Sequence, residues 1–450
     1  MNQRSSMIVD HTNVGAAFRR LSLPVAFTLL GDQMLSIVDT IVIGALGTVA
    51  LAGATGAFTL FILVLYALLG FVSGLSIICA QRIGAGDLDG FARTVRAGTI
   101  VPLAAAIVLT LASLFAAEPV LRFMLGPLAS VHQSAIYLQL RIASMIFSMV
   151  SIAVLSGLGA AGNRSPSVVA LVVINAVHIP LVMILTLGVF THHPLGMPGA
   201  GISSLVSEIA ATIYVVVYLL RHPEYAILRS LRIDWRLVKE TARLSLPEVV
   251  FLGAILFPDT IIVAMLAPMG PVVISAFRAL NIVSDFTFIV PIPLQEAAQT
   301  VIGQRLGALD IAGAKDFFVR ARRFATMTAL LFGAAVAALA WPISYVFTLN
   351  AAVASLAALP LALHMITLPL KGYSMLEIAP LRASGDTRFS MFVGLLCSVL
   401  VLPVTWIGIK LLHIGLFAVP LGWIVAWSAR TVLTSLRVRT DDWTRRPLTA

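Results

Sequence analysis

Apolar residues run along this chain in blocks of about 20, the length a helix needs to cross the hydrocarbon core of a bilayer. Windows of that length predict spans near 21–44, 50–80, 97–117, 133–160, 167–190 and 199–220. A second set follows near 244–267, 271–303, 324–348, 356–381, 389–410 and 413–436. In lipid every backbone N–H and C=O must be satisfied within its own segment, so the twelve blocks predict twelve helices. The pattern lacks the short alternating strands that mark a membrane barrel.

The polar intervals between these blocks echo one another at a fixed distance. RLSLP occurs at Arg20 to Pro24 and at Arg243 to Pro247, an offset of 223 residues. QRIGAGDLDG at Gln81 to Gly90 matches QRLGALDIAG at Gln304 to Gly313, and LGAAGN at Leu158 to Asn163 matches LRASGD at Leu381 to Asp386, both at the same offset. The two halves are therefore copies of one unit. Six spans per unit is an even number, so both copies start on the same side and are parallel repeats about an axis along the membrane normal.

Composition agrees with this reading: 59% of residues are hydrophobic and 11% charged, and the mean hydropathy is +1.00. With both tails on one side, 24 of the 30 Lys and Arg fall in the tails and in the loops of that side, which the positive-inside rule assigns to the cytoplasm. The net charge of +10 is thus a topology signal. Its dispersal over many short loops speaks against nucleic-acid binding. The longest polar stretch, Arg221 to Arg243, carries six of these basic residues and marks a boundary. The expected organisation is a cytoplasmic tail 1–20, a first lobe 21–220, a cytoplasmic linker 221–243, a second lobe 244–436 and a cytoplasmic tail 437–450. The first 20 residues show no cleavable signal, so the first span is expected to be the insertion signal. Cys79 and Cys397 fall inside apolar spans with no His or Cys at ligand spacing, so neither a disulfide framework nor a metal site is expected.

Charges inside spans are where chemistry is expected, because an ionisable group near the bilayer centre costs at least about 2.5–3.5 kcal/mol. On the first span Thr28, Asp32, Ser36 and Asp39 fall on one narrow face at 100° per residue, a face expected to look into the lobe. Asp39 lies 15 residues beyond Pro24, about 22 Å along the axis, which places it in the outer half of the membrane, with Asp32 nearer the middle. An intramembrane carboxyl can hold a proton until it is hydrated or approached by a cation, as an antiporter requires. The alternative is structural: Asp39 partners an intramembrane base such as Arg141, and Asp32 bonds to a neighbouring Ser or Thr. Further polar stripes comprise Arg141, Ser144, Ser148 and Ser151 in the fourth span, Asn175 and His178 in the fifth, and Ser204, Glu208 and Thr212 in the sixth. His178 reads equally as a helix-packing histidine or a proton relay.

The second half repeats the theme with different residues. Asp259 follows Pro258, whose missing N–H favours a kink beside the carboxylate. Arg278, Asn281 and Asp285 share one face of the eighth span, and His364, Thr367, Lys371 and Ser374 one face of the tenth. Asp259, Arg278, Asp285, Lys371 and Arg141 are the candidates for a substrate cavity. The structural alternative for Arg278, Asp285 and Lys371 is mutual charge neutralisation within the lobe.

LSLP, then VDTIVIGALGTVALAGATG from Val38 to Gly56, then QRIGAGD, resembles the multidrug and toxic compound extrusion (MATE) family. APLRASGDTRFSM from Ala379 to Met391 and the close of the last span agree with it, so the similarity covers roughly residues 20 to 436. The resemblance implies an all-α polytopic membrane protein, with twelve transmembrane helices in two parallel six-helix repeats around a central cavity. It implies a secondary exporter coupled to inward flow of protons or sodium ions, without a further cofactor. Val38, Asp39 and Thr40 match the family's VD-T motif, and Asn175 matches a position that helps line an ion site in the first lobe. The acid usual four residues on is Ile179 here. Ile255 and Lys371 stand where the NorM branch carries a Glu and an Asp, which argues against a sodium site in the second lobe and favours a proton-coupled, DinF-like arrangement.

Three function classes compete. The favoured one is an antiporter exporting small amphipathic or xenobiotic compounds, driven by protons through Asp39 and Asp32 with Asn175, by alternating access of two lobes. A sodium-coupled exporter and a lipid-linked saccharide flippase of the same superfamily are the alternatives; the flippase would be expected to show 14 spans or a dense ring of cavity Arg. A membrane enzyme would require catalytic motifs that the spans lack. The expected partners are a small-molecule substrate and the bilayer of the inner (plasma) membrane, with the protein a monomer.

Overall fold

The computed structural model describes residues 14–126, 130–190, 193–230, 232–254, 257–348 and 350–445, and among these it contains helices and no strand. Six long helices come first: α1 (Val14–Gly44), α2 (Thr48–Gly84), α3 (Leu88–Leu125), α4 (Val131–Ala160), α5 (Ser165–Leu187) and α6 (Met197–Arg221). The second half is more broken. It comprises α7 (Trp235–Ala254), α8 (Phe257–Leu266), α9 (Pro271–Phe286), α10 (Pro291–Gly307), α11 (Ile311–Ala338), α12 (Ala340–Thr348), α13 (Ala351–His364), α14 (Thr367–Ala383), α15 (Thr387–Lys410) and α16 (Ala418–Arg439). Eleven helical stretches are long and apolar enough to cross a membrane. The pair α11 and α12, bent by 71° at Leu339, makes the twelfth. The protein is thus an all-α polytopic membrane protein, as the apolar blocks predict. Helices α7 and α8 flank Pro258's expected kink, but Ile255 lies outside the described residues.

The sequence echoes correspond to repeated physical devices. In the first half Asp87 caps α3 by accepting from the Gly90 N–H at 2.7 Å, and its other oxygen pairs with Arg82. In the second half Asp310 caps α11 by accepting from the Gly313 N–H at 2.9 Å and pairs with Arg305 at 3.0 Å. Each carboxylate satisfies orphan donors at a helix start while tying down the preceding helix end. The turn before each cap needs a left-handed residue. Gly86 supplies it at φ 72°, but its counterpart is Leu309 at φ 59°. A side chain in that region costs roughly 1–2 kcal/mol, partly offset by the greater freedom glycine has in the unfolded chain. Leu309 is 69% exposed, so little packing is at stake. Leu309→Gly is expected to stabilise the protein by about 0.5–1 kcal/mol, read as a higher melting midpoint in detergent; a lower midpoint would contradict the strain.

The chain forms two compact units: one spans Leu23–Val249, the other Val9–Ser22 with Val250–Ala450, of which residues 9–13 and 446–450 are not described. In the first unit the segment after α6 is anchored by Arg96, which donates to the carbonyls of Ala226 and Ile227 at 3.3 and 2.9 Å. Asn163 donates to the hydroxyls of Tyr218 and Tyr225 at 2.9 and 3.0 Å. The start of α7 then packs here too: Leu237 and Val238 bury against Ala97, and Gly74 donates its N–H to Ser245 at 3.1 Å. In the second unit the start of α1 supplies Ala17, Phe18 and Leu21 to a core with Val301, Phe317 and Leu376. The repeated RLSLP therefore lies close to where each repeat's first helix changes unit, and both prolines, Pro24 and Pro247, are inside a helix. Each removes one helical N–H donor, which locally weakens the ladder at that passage.

Candidate ion and substrate sites

In the first unit α1, α4, α5 and α6 bring their polar stripes together around Asp39. The Asp39 side chain is nearly buried and both its oxygens are engaged: Oδ2 accepts from Arg141 Nη1 at 3.0 Å, and Oδ1 lies 2.7 Å from His178 Nε2. Arg141 also donates to Ser204 Oγ at 3.2 Å and lies 4.2 Å from the centroid of the Phe61 ring. His178 is fully buried and its Nδ1 has no hydrogen-bond partner. A neutral imidazole with the proton on Nε2 leaves only a lone pair unmatched there, which costs less than the orphaned N–H of an imidazolium. The structural alternative for Asp39, partnership with Arg141, is thus present in the geometry, and His178 both packs and binds.

Asp32, seven residues earlier on α1, differs. It is exposed, and its carboxylate makes no hydrogen bond or ion pair among the described residues. The expected bond from Ser36 goes instead to the Asp32 backbone carbonyl at 3.2 Å. Asp32 is thus uncovered where Asp39 is clasped, but its proximity to Glu208 keeps it on the side of α1 that carries the Asp39 cluster. Helical spacing places residues on a stripe, but the neighbouring helices cover that stripe only at its Asp39 end. Glu208 on α6 is near enough to Asp32 for their charges to interact, and it also faces Arg141 and His178. Asn175 is half-buried; its Nδ2 donates to the Leu171 carbonyl at 3.0 Å, and its Oδ1 is buried without a partner. The stripes thus assemble Asp39, Arg141, His178, Ser204 and Glu208, with Asn175 on the same helix as His178. Glu208 was visible as a stripe member, but its electrostatic link to Asp32 has no signal in spacing.

The second unit builds a different cluster. Lys371 on α14 is 2% exposed; its Nζ donates to Ser284 Oγ at 3.3 Å, and Ser284 Oγ lies 2.8 Å from His364 Nε2. The ammonium sits 4.2 Å from the Phe288 ring and 5.7 Å from the Trp427 ring. Aromatic faces stabilise a desolvated cation. His364, Thr367, Lys371 and Ser374 are all buried, as one shared face predicts, although the helix breaks between His364 and Thr367. Lys371 makes no ion pair among the described residues; Asp285 and Asp259 act on it only at longer range. Asp259 is half-buried beside Asn281, and its Oδ1 has no hydrogen-bond partner. Arg278 and Asp285 are exposed.

Mutual neutralisation of Arg278, Asp285 and Lys371 by contact ion pairs is therefore absent among the described residues. Arg278 and Asp285 are seven residues apart, about 10 Å along α9, too far to pair directly. Lys371 turns to a hydroxyl and two rings instead. Ser284, Phe288 and Trp427 carry no local signal in the sequence, because a lone serine or aromatic is common in an apolar span. Among the described residues no group of three or more His, Cys, Asp or Glu could hold a metal ion.

Comparison with known proteins adds to this geometry. The family model MatE matches residues 24–184 and 251–407. The chain is 27% identical over 425 residues to the "Probable multidrug resistance protein NorM" of Bradyrhizobium diazoefficiens, covering 89% of this chain and 87% of that one. It is 25% identical over 312 residues to the "Probable multidrug resistance protein YoeA" of Bacillus subtilis, covering 67% of each. Among solved structures it is similar to a MOP superfamily transporter from Pyrococcus furiosus, with a TM-score of 0.88 at 18% identity over 98% of this chain and 99% of that one. An outward-facing multidrug resistance MATE transporter matches with a TM-score of 0.88 at 19% identity, over 98% and 99% of the two chains. Two-thirds of the sequence and the whole described helical fold thus agree on one assignment: the chain belongs to the MATE family of multidrug and toxic compound extrusion transporters.

Proposed function

We propose that this protein is a secondary antiporter that exports small amphipathic compounds in exchange for protons taken up in the first unit, by alternating access. The relatives' names as multidrug resistance proteins support the export of xenobiotics. The observation that carries the proton assignment is the contrast on α1: Asp39 is clasped by Arg141 and His178, while Asp32 on the same helix is open and unpaired. Asp32 exchanges protons with water, and its charge acts through Glu208 on the Arg141–His178–Asp39 cluster. Loss of one negative charge there changes how strongly α1 is held against α4 and α5. Two conformations with different proton affinity follow, which is the requirement for coupling.

In the second unit Lys371 acts as a fixed internal cation. Together with Arg278 it balances Asp259 and Asp285 from within the fold, and in this reading the unit takes up no coupling ion. The cavity candidates Asp259, Arg278 and Asp285 then remain for substrate, with the half-buried Asp259 offering an unpartnered oxygen. The protein sits in the inner membrane with both termini in the cytoplasm, as the Lys and Arg bias supports.

Proton exchange can be read directly in everted vesicles that hold an acid interior. Adding an amphipathic cationic dye such as ethidium should dissipate the pH difference, measured by a pH-sensitive fluorophore, only in vesicles containing the protein. Dye accumulation without any proton efflux would contradict the reading.

A further inference from the structure

A cavity of about 320 Å³ opens in the second unit, at the end where α11 begins and α14 and α16 finish. Its acidic groups are already answered. Glu377 is fully buried and pairs with Arg322, whose guanidinium also lies over the rings of Phe318 and Tyr373 at 5.2 and 4.9 Å. Asp441 pairs with Lys315 at 2.6 Å. Arg439 lines the same cavity with no partner among the described residues, so the lining carries surplus positive charge.

What remains is rich in donors. Trp443 is 3% exposed, packed edge-on against Phe318, and its Nε1–H has no acceptor. The hydroxyls of Tyr373 and Ser435, also in the lining, make no hydrogen bond among the described residues. A buried N–H without an acceptor is costly, so each such group is a standing demand for a ligand or water oxygen. One acceptor is also open: Glu377 Oε2 receives no hydrogen bond.

We propose that this cavity binds a phosphate oxyanion that also carries a hydroxyl, with Arg439 and the Trp443 N–H donating to the phosphate and the ligand's hydroxyl donating to Glu377. The volume is that of a small-ligand pocket. Charge-assisted hydrogen bonds to phosphate are the strong kind, and basic pockets between transmembrane helices are suited to lipid head groups. Glycerophosphate chemistry meets each demand, and it has two sources: the head group of an anionic phospholipid, or a free phosphate monoester. The site is separate from Lys371, which lies six residues before Glu377 on α14 and points to other partners.

The test uses the full chain purified in detergent and titrated with glycerol 3-phosphate or with dioctanoyl phosphatidylglycerol, reading melting midpoint and calorimetric affinity. At least one probe should bind and raise the midpoint, and whichever does so identifies the source. Arg439→Gln and Trp443→Phe should each weaken that binding by about 10-fold or more. Arg445→Gln, an exposed basic residue outside the lining, should leave it within about twofold, as the screened charge of an exposed site predicts. If Trp443→Phe does not fold, Tyr373→Phe removes only a hydroxyl and should weaken binding by about threefold or more. Failure of both probes to bind, wild-type affinity in the variants, or equal weakening by Arg445→Gln would overturn the site.

Discussion

Asp39→Asn is expected to abolish gradient-driven efflux and to destabilise the protein by about 3–5 kcal/mol, the usual cost of breaking a buried ion pair by removing one partner. Asparagine retains one acceptor for the His178 N–H, but its amide cannot neutralise Arg141, which would then sit uncompensated against Phe61. Structural loss and coupling loss can be separated. Adding Arg141→Gln removes the orphaned charge, so the double variant should recover much of the stability, as buried pairs replaced together are often near neutral. Efflux should not return, because the group whose charge links α1 to α4 is gone. Full efflux by either variant at wild-type rate, measured in proteoliposomes under an imposed pH step, would show that Asp39 has only a packing role.

Lys371→Met is expected to have the opposite effect on stability. Methionine fills a similar volume without a buried ammonium that lacks a contact ion-pair partner. Because Asp259 and Asp285 are not fully buried, the relief of that desolvation is expected to outweigh the lost longer-range attraction and stabilise by about 1 kcal/mol. The Phe288 and Trp427 rings that face the ammonium would pack against the thioether. Transport should change in kind. Without the internal cation only Arg278 remains to balance Asp259 and Asp285, so one further charge must come from solution: the dependence of efflux on proton concentration should steepen from about one ion toward about two, or a sodium stimulation should appear. Unchanged stability together with unchanged ion dependence would remove Lys371 from the account.

Much of this was legible in the sequence because a charged stripe on an apolar helix has few places to go. The spacing of Thr28, Asp32, Ser36 and Asp39 on one helix and of Arg141 on another anticipates the Asp39–Arg141 pair, and QRIGAGD and QRLGALD mark two caps of the same design. Helix continuity was not legible from the apolar pattern. Apolar windows measure length only, so the 71° bend at Leu339 and the break between His364 and Thr367 carry no signal in hydropathy; they follow instead from Pro342 and Pro369, whose missing N–H groups leave the carbonyls of Ala338 and Met365 without their helical donors. Exposure within a stripe was equally hidden: Asp32 and Asp39 look alike by spacing, and only the packing of α4 and α5 separates them. Around Lys371 the sequence showed an intramembrane cation on a polar face, but not the Phe288 and Trp427 rings that hold it, since they come from a short turn and a distant helix. The cavity beside Glu377 depends on Trp443, which lies in a segment that composition marks only as a tail.

The central claim is that protons alone drive export through the first unit. The most direct measurement is dye transport by the reconstituted wild-type protein with the two gradients imposed separately: a pH step in sodium-free buffer, and a sodium step at equal pH on both sides. Transport under the pH step, abolished in Asp39→Asn, with none under the sodium step, is the predicted result. Transport under the sodium step alone, or a pH response that survives in Asp39→Asn, would contradict it.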